Sequence, residues 1–366
     1  MAPYTEKLKV ERGQRKLLAL DGGGIRGMIS IEVLAEIERL LQKELKRDDT
    51  FVLADYFDYI AGTSTGAIIA ACLSLGLRVS KIRDFYQDSG EAMFNRAGWL
   101  QKFHYKFENE PIAAKLKEVF GADTTFGSEK LQTLLMAVLR NATTDSPWPL
   151  SNNPRAKYAD NCQIPLWQLV RASTAAPTYF PPEIIDVGSD KRFVFVDGGI
   201  TMYNNPAFQL FLMATTEPYN LNWTAGENKM LLISIGTGTA AEANANLKPG
   251  EMNLLYNASS IPSALMFAAL NEQDFLCRAF GKCLEGDAID SEIGDMIGKH
   301  GPGPKLFTYA RYNAELTREG LDELKLPGID PKRVQRLDST DAIEELQEVG
   351  RAVGGSVKPS HFAGFL

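Results

Sequence analysis

From Tyr56 to Leu77 the chain reads YFDYIAGTSTGAIIAACLSLGL. The stretch Tyr56 to Ala61 is aromatic and apolar, the pattern of a buried strand. Gly62-Thr63-Ser64-Thr65-Gly66 breaks that pattern, and Ala67 to Leu77 resumes as a small-residue apolar run with helical character. Strand, sharp turn and helix in direct succession are the context that a G-x-S-x-G nucleophile elbow requires. Such a turn is tight and strained, and side chains at Gly62 or Gly66 would collide with the neighbouring strand or helix. Ser64 is then expected above the sheet, its Oγ exposed at the start of a helix. Read alone, the same residues also describe an ordinary Gly/Ser turn between two core elements.

A second glycine turn has the same setting. Lys16 to Leu20 (KLLAL) reads as a short strand and runs into Asp21-Gly22-Gly23-Gly24-Ile25-Arg26-Gly27. Ile29, Val33, Leu34, Ile37 and Leu41 then recur at helical spacing, which predicts an amphipathic helix over Met28 to Leu45. A glycine-rich turn between strand and helix aims several N–H groups at one spot, and the helix dipole favours negative charge there. Two anions suit it. One is a phosphate, since Gly22-x-Gly24-x-x-Gly27 matches G-x-G-x-x-G. The other is the oxyanion of an acyl-transfer intermediate, held by the N–H groups of Gly23 and Gly24. The dinucleotide fingerprint also wants an acidic residue closing a second strand about 20 residues on. Here that distance falls inside the helix, at Glu44, which weakens the phosphate reading.

Further along, helices are expected over Val79 to Phe94 and Pro111 to Phe120, with Leu131 to Leu139 a buried strand or helix. Trp99 to Phe107 (WLQKFHYKF) reads as a loop pinned to the core by its rings, with a lid touching acyl chains as the alternative. Thr143 to Asn161, with Pro147, Pro149 and Pro154, reads as a long surface loop. A helix over Leu166 to Ala176 stops before Pro177. A strand over Phe193 to Val196 ends at Asp197-Gly198-Gly199, and an Asp there reaches the carboxyl edge of the sheet, where open α/β sheets bind ligands. Asn204-Asn205-Pro206 caps a helix to about Thr215. Met230 to Ile235 is a buried strand closing into Gly236-Thr237-Gly238-Thr239. Helices over Ile261 to Phe280 and Asp341 to Val353 follow, with a small strand near Leu306 to Tyr309 between them.

Charge and cysteine usage narrow the class. The 366 residues carry 39 Lys and Arg against 46 Asp and Glu, net −7, which argues against a nucleic-acid partner and against strong attraction to anionic membranes. The polar opening MAPYTEKLKVERGQRK shows no secretory h-region, and Ile60 to Leu77 is broken by the elbow, so a cytoplasmic protein is expected. Cys72, Cys162, Cys277 and Cys283 fit neither C-x-x-C nor a metal-ligand pattern; reduced thiols are the simplest account. No metal or other cofactor is expected.

Four segments in order carry a family resemblance: DGGGIRG (Asp21 to Gly27), GTSTG (Gly62 to Gly66), RASTAAPTYFPP (Arg171 to Pro182), and DGG followed by NNP (Asp197 to Pro206). Together they resemble the patatin-like phospholipase family. The resemblance implies a lipid acyl hydrolase with a Ser–Asp dyad, matching Ser64 and Asp197, and an oxyanion hole matching Gly22, Gly23 and Gly24. Arg26 and Thr65 become substrate-contacting or structural side chains. Arg26 would pair with a lipid phosphate or a structural carboxylate, and the structural role is favoured. The expected fold is a single α/β domain over residues 1–366 behind a polar tail, 1–15: three layers, a largely parallel central sheet, helices on both faces and extra helices at the C-terminus. The expected partners are a phospholipid or other acyl ester and peripheral contact with membrane or lipid aggregates. A nucleotide-binding protein using Gly22 to Gly27 is the runner-up, and a non-catalytic lipid-binding or storage protein on the same fold is the third reading.

The base is the unusual point. A serine hydroxyl ordinarily relies on histidine, and the chain has only His104, His300 and His361, none in a catalytic motif. A carboxylate with pKa ~3.9 is a weak base, but burial raises it, and Asp197 at a buried strand end suits that need. The competitor is a triad, because Ser64, Asp197 and His300 follow the chain order of α/β-hydrolase triads. The dyad reading is favoured.

Overall fold

The computed structural model describes residues 3–9, 13–94, 111–177, 179–187, 191–240 and 254–366. Trp99 to Phe107 lies outside the described residues.

Among the described residues nine strands form one sheet: β1 Arg15–Leu20, β2 Tyr59–Thr63, β3 Leu134–Asn141, β4 Ser146–Ser151, β5 Glu183–Asp186, β6 Arg192–Asp197, β7 Met230–Ile235, β8 Lys282–Glu285 and β9 Thr308–Tyr312. Their path is β5-β6-β3-β2-β1-β7-β9-β8, with β4 also on β3. Pairing is parallel from β3 through β2, β1, β7 and β9 to β8, and antiparallel where β3 meets β4 and β6 and where β5 meets β6. Strands β2, β7 and β9 are buried at every residue. That is why β2 and β7 read as largely apolar runs rather than as alternating ones, since helices cover both faces of a parallel sheet, whereas β9 (TYARY) buries the charged Arg311.

The main helices are α1 Gly27–Glu44, α2 Thr65–Ser74, α3 Val79–Phe94, α4 Pro111–Phe120, α5 Leu166–Ser173, α6 Ala207–Thr215, α7 Leu254–Phe280 and α8 Ile343–Gly354. The C-terminal helix α8 lies along α1, while α6 packs on β1 and β7 and α7 on β9. The sheet and these helices enclose one large apolar core.

Three expectations need correction. Tyr56 closes a short helical turn, Leu53–Tyr56, and β2 begins at Tyr59. The loop expected over Thr143 to Asn161 holds β4, whose sequence is SPWPLS. Among the described residues this strand pairs only with β3, so every second N–H points away from the sheet; Pro147 and Pro149, two residues apart, fit that parity. The tail 1–15 is partly folded in, since Tyr4 and Leu8 are buried and Arg15 opens β1.

One pairing places the site. Both β4 and β6 pair with Arg140 and Asn141 of β3, and both β4 and β2 pair with Met136 to Val138. Strands β2 and β6 therefore follow one another along the same edge of β3. Thr63 is registered with Val138, and Asp197 with the next residue, Leu139. Thus β3 brings the end of β6 to the end of β2.

Candidate active site

Ser64 occupies the turn between β2 and α2 with φ 54° and ψ −123°, a strained conformation that a non-glycine residue adopts only when its surroundings impose it. The surroundings are tight. A Cβ on Gly62 would fall 2.1 Å from the Gly66 carbonyl oxygen, and one on Gly66 would fall 2.3 Å from the Leu20 carbonyl oxygen. Three more bonds hold the turn. Ser64 N–H donates to Ser173 Oγ at 2.9 Å, and Ser173 Oγ–H donates to the Val138 carbonyl at 2.6 Å. Thr63 Oγ1 donates to the Tyr203 carbonyl. Ser173 lies within RASTAAPTYFPP, where no sequence pattern marks it as a support of the elbow. Its hydroxyl stitches the elbow to β3, and Ser173→Ala strands a buried N–H and a buried carbonyl. A loss of about 1–3 kcal/mol is expected. Urea denaturation measures it, and an unchanged midpoint would remove Ser173 from the elbow's support.

Ser64 Oγ donates to Asp197 Oδ2 at 2.6 Å, across 133 residues of chain. The other carboxylate oxygen, Oδ1, accepts the Gly199 N–H at 2.6 Å. Both groups are nearly buried, at 8% and 5% exposed. Burial pushes the Asp197 carboxyl up to about 6; the Ser64 hydroxyl, the Gly199 N–H and the Arg171 guanidinium pull the other way. Arg171 is itself buried on α5, donating to the Pro181 carbonyl and lying over the Phe180 ring. The balance produces a carboxylate that is ionised at neutral pH and a better base than a solvated one.

The glycine turn lies against the serine: a Cβ on Gly22 would be 3.2 Å from Ser64 Cβ. Its frame is bonded on both sides. Gly22 N–H donates to the Asn204 carbonyl at 3.1 Å, the Gly22 carbonyl accepts from Thr237 Oγ1 at 2.8 Å, and Ile25 N–H donates to the Leu337 carbonyl at 3.0 Å. The resemblance places Gly22 with the oxyanion donors, but its N–H is spent on the Asn204 carbonyl. Among the described residues the N–H groups of Gly23 and Gly24 take no partner, and Gly24 has φ +58°. The N-termini of α1 and α2 both open here, adding favourable potential for an anion.

The remaining candidates fall elsewhere. Thr65 is fully buried, its Oγ1 bonded to the Tyr86 hydroxyl, so it braces α2 against α3. Arg26 Nη1 donates to the Gln335 carbonyl, and burial lowers its pKa to about 10. His300 is exposed. His361 is buried with Nδ1 bonded to the Tyr312 hydroxyl at 2.7 Å. His104 lies outside the described residues. Among the described residues no helix is long and apolar enough to cross a membrane.

Comparison with known proteins follows the same motifs. The family model described as patatin-like phospholipase matches residues 18–211. Patatin-like protein 4 of Arabidopsis thaliana is 31% identical over 341 residues, covering 80% of this chain and 82% of that protein. A cGAMP-activated phospholipase of Escherichia coli (strain TW11681) is 29% identical over 233 residues, covering 62% of this chain and 63% of that one. Patatin-17 of Solanum cardiophyllum is 30% identical over 253 residues, covering 62% and 61%. The chain spans about three-fifths of the length of these last two relatives. The match begins in β1, takes in both glycine turns and Asp197, and ends in α6, and on these grounds the chain belongs to the patatin-like phospholipase family.

Proposed function

We propose that the protein is a serine hydrolase that cleaves acyl ester bonds of membrane or storage lipids, in the manner of a phospholipase A or lysophospholipase. The observation that carries this reading is the 2.6 Å bond from Ser64 Oγ to Asp197 Oδ2 at the apex of the elbow. As Ser64 Oγ bonds to the acyl carbonyl carbon, its proton passes to Asp197. The carbonyl oxygen becomes an oxyanion, and the free N–H groups of Gly23 and Gly24 are its donors. Collapse breaks the ester C–O bond, and the departing alcohol takes the proton from Asp197. Water then attacks the acyl-enzyme, giving its proton to Asp197; as the bond between the acyl carbon and Ser64 Oγ breaks, Asp197 returns that proton to Ser64 Oγ and the fatty acid is released. The substrate is a lipid met at the surface of a membrane or aggregate, since the acyl chain is insoluble.

Three features weigh against the nucleotide reading: the Gly22 N–H is occupied, Ser64 faces the turn, and no acidic residue stands at the required place. The test is an ester-hydrolysis series across acyl lengths with labelling by a fluorophosphonate probe, which is expected to modify Ser64. Labelling elsewhere, or hydrolysis without labelling, would remove the assignment.

The donors have their own test. A Cβ on Gly23 would lie 2.1 Å from Thr237 Oγ1, and that hydroxyl is already tied to the Gly22 carbonyl. The turn must therefore shift in Gly23→Ala. Loss of one oxyanion donor costs on the order of 10²-fold or more in kcat, and a drop of that size is expected on a soluble ester. A kcat within threefold of wild type would mean that Gly23 does not serve the oxyanion.

A further inference from the structure

Beneath the glycine turn lies a buried polar network that the reaction above does not use. Parallel register pairs Ala19 with Ser234 and Ser234 with Arg311. Side chains of registered residues in parallel strands share a face, as do residues two apart. Asp21, Ser234, Arg311 and Tyr309 therefore project from the same face, the one that α7 covers. There Arg311 Nη2 donates to Asp21 Oδ2 at 2.6 Å and Nη1 to Ser234 Oγ at 2.7 Å. On the other side, Arg311 Nε lies 3.6 Å from Asp274 Oδ2 of α7. Asp274 also accepts from Arg278 Nε at 2.9 Å, Arg278 Nη2 at 2.6 Å and the Tyr309 hydroxyl at 2.9 Å. The side chains of Asp21 and Arg311 are 3% and 4% exposed.

We propose, resting on the hydrolase reading, that Arg311 is a positioning residue for the oxyanion donors, held between Asp21 and Asp274 so that the turn entered at Asp21 presents Gly23 and Gly24 to the substrate carbonyl. Two arguments carry this. The first is energetic. Two carboxylates and two guanidinium groups in a protein interior offset little more than their own desolvation, and apolar residues of similar volume stabilise such a site as well or better. An ionic network is therefore a poor device for stability alone, whereas its fixed bond directions suit the holding of a geometry. The second is location. Asp21 is the residue before Gly22, and its N–H is also bonded, to the Ile235 carbonyl. Its side chain is the remaining freedom at the entry to the turn, and Arg311 removes it. Displacement by about 1 Å in such a site costs on the order of 10²-fold in rate. Arg311 also neutralises a carboxylate that would otherwise stand close to the developing oxyanion.

The experiment compares wild type, Ser64→Ala, Arg311→Lys and Asp21→Asn. Arg311→Lys keeps the charge and loses the planar fork; Asp21→Asn keeps the shape and leaves Arg311 paired with Asp274. Folded active sites are counted by complete fluorophosphonate labelling, and kcat and KM on a soluble ester are expressed per labelled site. Both variants are expected to lose at least 10-fold in kcat with KM within twofold of wild type. A merely structural role would lower the number of labelled sites and leave kcat per site unchanged, which overturns the proposal. So does a kcat within twofold of wild type in either folded variant, or failure of both to fold. An inactive, unlabelled wild type overturns the hydrolase reading itself, and an active wild type with inactive Ser64→Ala separates that failure from this one.

Discussion

Asp197→Asn is expected to lower kcat by about 10⁴-fold, while His300→Ala leaves it unchanged. The expectation follows from where the proton can go. Ser64 Oγ already donates to Asp197 Oδ2, and Gly199 occupies Oδ1, so the carboxylate contacts the nucleophile directly. His300, by contrast, is exposed. An amide cannot accept the serine proton as a base, and losses of this order accompany removal of a triad's carboxylate in serine proteases. A triad built on His300 would lose several orders of magnitude in both variants. If folded His300→Ala is as inactive as Ser64→Ala, the dyad is wrong.

The same residue gives a pH dependence in two observables. For catalysis Asp197 must be ionised, so the rate falls as pH drops through about 6. For stability the sign is opposite. The folded pKa is raised above the ordinary value of 3.8 by burial, so the native state prefers the protonated acid. The stabilising contribution is full below pH 3.8 and is lost as pH rises through about 6. Raising the pKa from 3.8 to about 6 corresponds to about 3 kcal/mol. Asp197→Asn carries no such charge, so near pH 8 it is expected to unfold at higher denaturant than wild type, and the difference shrinks toward pH 4. Parallel denaturation of the two proteins across that range is the measurement. A gap that stays constant with pH would mean that Asp197 is not the group held near 6.

Ser64→Ala is the variant with the largest expected effect, a loss on the order of 10⁴- to 10⁶-fold in hydrolysis, the range seen when a serine nucleophile is deleted. The strained φ of 54° is imposed by Gly62, Gly66 and Ser173 rather than by the hydroxyl, so alanine is expected to occupy the same turn. Removing the hydroxyl also removes one of the groups that lower the Asp197 pKa, and that pKa should rise further. Initial rates on a soluble ester, together with the thermal midpoint, check both statements. Retention of more than 1% of the wild-type rate by a folded, unlabelled Ser64→Ala would exclude Ser64 as nucleophile.

Much of this arrangement is local and could be read from the chain. The strand before each glycine turn and the helix after it have periodicities that need no partner to recognise, and the steric demand for Gly62 and Gly66 follows from the tightness of one turn. The burial of β2 and β7 on both faces likewise shows as largely apolar runs, whereas β9 (TYARY) carries the buried Arg311 and gives no such signal. The prolines of β4 signal a loop, and only the unpaired outer edge of β4 makes them tolerable in a strand. Tyr56 reads as strand in the sequence because aromatic content does not separate a short helical turn from an extended segment.

The sequence by itself determined which chemistry is available: a serine on an elbow, an aspartate at a strand end, too few histidines for an obvious triad, and a glycine turn rich in N–H donors. Tertiary structure alone decided how these meet. Val138 and Leu139 of β3 register with Thr63 and Asp197, and that adjacency closes the bond between Ser64 and Asp197. Asn204, brought in by the chain after β6, takes the Gly22 N–H and leaves Gly23 and Gly24 free. Arg311 reaches Asp21 across 290 residues because β7 spaces β1 and β9 to the length of a guanidinium side chain. Such contacts have no sequence signature, since hydrogen bonds and ion pairs depend on distance and angle in space, and strand register sets both.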